Sequence, residues 1–168
     1  MSDEEFSDRK APIRENMALQ RRTWRFERVG WLALIMLVAL ALGGLFSKGP
    51  LSQVTRSSAD GRLQVEYQRF SRNGAQESLI VTSHGAPGEM RWLVLGSGLL
   101  KGYSIEFQTP EPGPSRSQGQ DLLIPMQGDE QGVATLYLTL RSDGVGLYRG
   151  SLGLRGQPAL SLSKFIYP

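Results

Sequence analysis

There is no cysteine in the chain and only one histidine, His84. Without thiols there is no disulfide framework, no thiolate zinc site, no iron–sulfur cluster and no cysteine nucleophile. A single imidazole removes His-pair metal sites and leaves few general bases. A concentrated basic surface is also missing. The formal charge is +3, yet beyond residue 46 twelve Lys/Arg stand interspersed with ten Asp/Glu, which is not the footprint of a nucleic-acid module. GxSxG and HExxH are both absent, so the two commonest hydrolase signatures are missing. The glycines around Ser97 (Gly96, Gly98, Gly102) lack the GxxxxGK[ST] order of a phosphate loop. Glu66, Glu77, Glu89 and Glu106 lie on or beside expected strands, where solvent-facing positions explain them, and nothing in their spacing pairs two of them. His84, in SHGAPGE, reads as an exposed turn residue rather than a base. The expectation is a non-enzymatic protein with no cofactor and no metal.

The chain does contain one uncharged apolar run, 29–46 (VGWLALIMLVALALGGLF). As a helix it would cover roughly 27 Å, close to the roughly 30 Å of a bilayer's hydrocarbon core. It is apolar on every face, whereas a core helix of a small domain carries a polar stripe. Arg9, Lys10, Arg14, Arg21, Arg22, Arg25 and Arg28 precede it, and only Lys48, Arg56 and Arg62 follow closely. The positive-inside rule then puts the N-terminus in the cytoplasm. Arg21, Arg22, Trp24, Arg25, Arg28 and Trp31 fall where a membrane interface would be, with membrane lipids as their expected contacts. Ala39-Leu40-Ala41 has the form of a signal cleavage site but lies inside a run longer than a typical signal h-region, so an uncleaved signal anchor is expected. Ala39 and Gly43 form a small-xxx-small pair that would let a second helix approach. The organisation expected is a basic, partly helical tail over 1–28, a transmembrane helix over 29–46, a linker over 47–60 and an extracytoplasmic β domain over 61–168.

Past the linker the pattern changes to period two. Leu63, Val65 and Tyr67 alternate with polar residues, as do Tyr103, Ile105 and Phe107, and Leu136, Leu138 and Leu140. The runs 78–83 and 91–95 are β-rich, and 122–126 is a weaker candidate in which Pro125 suggests an edge position or a strand end. Asp143-Gly144 between two alternating runs is a hairpin signal. Leu160, Leu162, Phe165, Ile166 and Tyr167 make a last strand. About seven or eight short strands with regular turn signals indicate an antiparallel β-sandwich or small barrel, and an immunoglobulin-like sandwich is the fold expected. Trp92, Tyr103, Phe107 and Tyr148 are expected in its core. The glycines at 144, 146, 150, 153 and 156 mark either close backbone approaches or a weak sheet edge.

One connection is long for a compact domain: 108–121 (QTPEPGPSRSQGQD). Pro110, Pro112 and Pro114 in alternate positions keep its start extended, and with Arg116 they are candidate partner contacts; a plain connector is the bland reading.

In layout the chain resembles small single-pass bacterial inner-membrane proteins: a basic cytoplasmic tip, one anchor and a β-rich periplasmic domain. It also resembles, in architecture alone, accessory subunits of membrane complexes with a periplasmic immunoglobulin-like domain, and the anchored component of lipopolysaccharide transport. No functional residue is matched to either group. The resemblance implies an accessory or assembly role beside a larger integral membrane protein, or else a tethered module binding an envelope lipid or glycan.

Overall fold

The computed structural model describes residues 17–43, 49, 51–111 and 113–168. They form two units, divided after Leu40.

The first unit holds most of the helix α1, Met17–Leu42. No Gly or Pro interrupts it except Gly30, and Leu and Ala dominate its second half, both good helix formers. Its side chains from Leu32 to Val38 are exposed all round, and Arg28 lies over the Trp24 ring at 3.9 Å. No helix among the described residues is long and apolar enough to cross a membrane. The reason is in the two ends. Arg21, Arg22, Arg25, Glu27 and Arg28 occupy the N-terminal half, and the helix ends at Leu42 where the sequence suggested a span to residue 46. Residues 44–46, which that span needs, lie outside the described residues.

The second unit is a β-sandwich. Its first sheet is ordered β1 (Gln53–Ser57), β2 (Leu63–Gln68), β4 (Gln76–His84), β9 (Val133–Ser142), β6 (Tyr103–Thr109). The second is β3 (Phe70–Arg72), β11 (Leu160–Tyr167), β10 (Gly146–Leu154), β5 (Met90–Leu95), β8 (Asp121–Gln127), β7 (Arg116–Gln118). All described pairings are antiparallel except β11 with β3. Leu63, Val65, Leu79, Val81, Leu138 and Leu140 face Leu93, Leu95, Ile124, Leu152, Leu162 and Ile166 across the interlayer. A one-turn helix, α2 (Ser97–Leu100), lies on β10.

Several sequence expectations change. A strand, β1, lies inside 47–60, the stretch read as linker; its residues are polar apart from Val54 and exposed apart from half-buried Val54, so no alternation announced it. Phe107 is 66 % exposed instead of core, because a register shift between Ile105 and Phe107 breaks the alternation that begins at Tyr103. Trp92 and Tyr148 are half-buried. Pro125 sits where β7, which pairs only as far as Leu123, has already ended, so its missing N–H costs the sheet nothing on that side. Strand β10 is central rather than an edge, and its Gly150 admits α2: a Cβ there would stand 2.9 Å from the Leu99 backbone nitrogen. The exposure of Phe107 gives a direct check. Phe107→Ser is expected to move the urea midpoint by less than about 0.5 kcal/mol equivalent, whereas a core phenylalanine would cost several.

Candidate functional site

The long connection carries the chain from β6, an edge of the first sheet, to β7, an edge of the second, and so bridges the open side of the sandwich. Beneath it is a groove of about 460 Å³ lined by Met90, Trp92, Pro125, Met126, Ala134 and Leu136, with Pro110, Glu111, Gly113, Pro114 and Arg116 above. That volume lies in the range of ligand pockets, roughly 300–1,000 Å³. The strands supply a rigid floor, because Trp92 is paired with Pro125 and Met90 with Gln127 in register. The Arg116 guanidinium carbon stands 5.0 Å from the centre of the Trp92 ring, a cation–π arrangement at the lip of the groove. Gly113 passes close over Pro125: a Cβ added there would lie 3.7 Å from the proline ring.

Of the residues singled out in the sequence, Pro110, Pro114 and Arg116 are thus brought together on one groove. Pro112 lies outside the described residues. Ala39 is exposed near the end of α1, and Gly43 stands in a turn. Arg21, Arg22, Trp24, Arg25, Arg28 and Trp31 are all exposed on α1. His84 is exposed, but as the last residue of β4, paired with Val133, and not in the turn where the sequence put it.

The interior holds a polar group that sequence reasoning missed. Glu77 of β4 and Lys164 of β11 form an ion pair across the interlayer, each side chain 1 % exposed. The Lys164 ammonium stands 4.7 Å from the centre of the Tyr103 ring and 5.5 Å from that of Tyr67. Tyr103 and Ser71 share a hydroxyl–hydroxyl hydrogen bond of 2.9 Å beside it. Burial raises the Glu77 carboxyl above its ordinary value and lowers the Lys164 amine below its own, and each partner opposes the shift of the other. Burial also pushes the Tyr103 phenol upward. The expectation that Glu77 faces solvent is therefore corrected: it continues the inward alternation of Leu79 and Val81. The pair is sealed from solvent and binds two sheets, so it is a structural feature rather than a site. Among the described residues no three His, Asp or Glu side chains are placed to hold a metal ion.

No protein-family model and no curated protein matches the sequence. Among solved structures, a cohesin module from a Clostridium perfringens ATCC13124 family 33 glycoside hydrolase is similar to it with 10 % identity and a TM-score of 0.48, over 68 % of this chain and 98 % of that one. A likeness of that size carries no argument about function.

Proposed function

We propose that this chain is a non-enzymatic accessory protein of an inner-membrane complex, held by its N-terminal helix with the tail in the cytoplasm and the β-sandwich in the periplasm. The observation that carries the contact role is the groove. An apolar floor fixed by paired strands lies under a proline-rich strap, with one cation and one carboxylate, Arg116 and Glu111, at its rim. Such a groove suits an extended, largely apolar segment of a larger integral membrane protein, whose side chains fill pockets while the rim charges set its direction. The anchor is supported by the uncharged run 29–46 and the basic residues before it. It is also supported by the exposure of α1's apolar side chains on every side, a surface that water penalises.

Mild-detergent purification of the full chain from its native membrane tests the reading. A stoichiometric membrane protein is expected, and Trp92→Ala or Arg116→Ala is expected to lower its recovery about tenfold or more, as loss of a contact hot spot does. Recovery of the chain alone, or of a stoichiometric lipid or glycan without protein, would reject the accessory role.

A further inference from the structure

The end of the sandwich at which the linker arrives differs in character from the opposite end. The Ser52 backbone carbonyl accepts the Arg69 amide at 2.7 Å, and the Arg69 carbonyl accepts the Phe165 amide at 2.8 Å. Phe165 is in register with Phe70 on one side and Leu147 on the other. Tyr167 packs against both phenylalanine rings, at 5.9 Å from Phe70 and 5.1 Å from Phe165. The β9–β10 turn closes the same end, where the Gly144 amide donates to the Asn73 side chain at 3.2 Å. Among the described residues, Leu51 at 45 %, Val145 at 54 % and Leu147 at 57 % exposure are left in the open here.

The charge around them is of one sign. Among the described residues, Arg69, Arg72 and Lys101 are exposed at this end against Asp143, since Glu106 is paired with Arg141. At the far end Asp60 and Glu89 are paired with Arg62 and Arg91, and Glu111, Asp129 and Glu130 stand with Arg56, Arg116 and Arg155. Among the described residues the sandwich is thus basic and apolar where the linker arrives and balanced in charge at the far end.

We propose that this linker-proximal end is a lipid-docking face, in which Val145, Leu147 and Leu51 enter the headgroup region of an anionic membrane and Arg69, Arg72 and Lys101 pair with its phosphates. Apolar side chains ringed by cations are what an anionic interface selects, each cation contributing electrostatic attraction within a Debye length of the surface. The nearness of a membrane rests on the anchor proposed above. The face itself is defined by its own residues.

The cysteine-free chain allows a site-specific test. Full-length Val145→Cys and His84→Cys, labelled with an environment-sensitive fluorophore, are mixed with phosphatidylcholine–phosphatidylglycerol vesicles carrying a headgroup-depth quencher. Quenching at residue 145 is expected to exceed that at residue 84 strongly. Removing charge with Arg69→Gln and Arg72→Gln is expected to weaken docking about fivefold per site. Vesicles of phosphatidylcholine alone are expected to abolish the difference. Equal quenching at the two positions, or quenching at 145 indifferent to both arginines, overturns the docking face. Alkaline extraction of the same vesicles reads the anchor separately. A chain released by carbonate defeats the anchor, while the label comparison still decides the docking face.

Discussion

Lys164→Met is expected to destabilise the sandwich by about 3–5 kcal/mol, because it leaves the Glu77 carboxylate buried without a counter-charge. The reciprocal Glu77→Leu strands a buried ammonium and is expected to cost a similar amount. The double variant, Lys164→Met with Glu77→Leu, is expected to recover most of the loss, since a buried pair replaced by apolar residues of similar volume is often neutral or better. The measurement is the urea midpoint of the three variants, followed by the far-ultraviolet strand signal, and a double variant no better than either single one would contradict it. The single variant also carries a pH signature. Burial holds the Glu77 carboxyl above its ordinary value of 4.5, so in Lys164→Met the native state retains a proton that the unfolded state has released. Stability then falls as pH rises above that value, and the variant is expected to be more stable at about pH 5 than at about pH 8. In the parent protein Lys164, whose amine is lowered by burial, gives the opposite slope at the alkaline side: stability rises as pH approaches 10.5, where the unfolded amine also loses its proton.

The second large effect is expected at Gly132, in the turn before β9. Its φ is +79°, and a Cβ there would stand 2.1 Å from the Gly85 carbonyl oxygen. The Gly132 carbonyl itself accepts from the Gly85 amide at 2.9 Å and from Arg91 Nη2 at 2.8 Å, so the turn cannot move aside without giving up a buried guanidinium's hydrogen bond. Gly132→Ala therefore combines left-handed backbone cost with overpacking against main chain, and about 3 kcal/mol of destabilisation is expected. Gly156→Ala separates the two causes. Its φ is +82° with nothing near the position of a Cβ, so only the backbone cost of about 1 kcal/mol is expected there. Equal losses in the two variants, read as urea midpoints, would remove the steric half of the argument.

Both effects bear on what the sequence made legible. Strands β2 and β9 could be read from strict alternation, and the β9–β10 hairpin from Asp143-Gly144, because each signal is local. Lys164 was legible in principle: Leu162, Lys164 and Ile166 share one face of β11, as Glu77, Leu79 and Val81 share one face of β4. Two opposite charges at inward positions of separate strands imply a buried pair, but only once the two sheets are known to face each other. Phe107 misled because a bulge shifts the period by one residue without any marker in composition. Strands β1, β3 and β7 are short or polar, and they exist by pairing with partners the sequence does not place beside them. The groove was half visible. Its strap announced itself through proline and length, whereas its floor is assembled from β5, β8 and β9, strands of both sheets that no local pattern places side by side.

The polar strand β1 has a mechanical consequence. It begins at the linker and runs away from it, paired with β2 from Gln53↔Gln68 to Ser57↔Gln64. Tension pulling outward through the linker acts along the strand axis, while antiparallel hydrogen bonds lie across it. The load is then carried in shear by all five residues of β1 together, instead of being released one pair at a time as in unzipping. A strand with almost no apolar character thereby resists tension applied to the chain before Gln53.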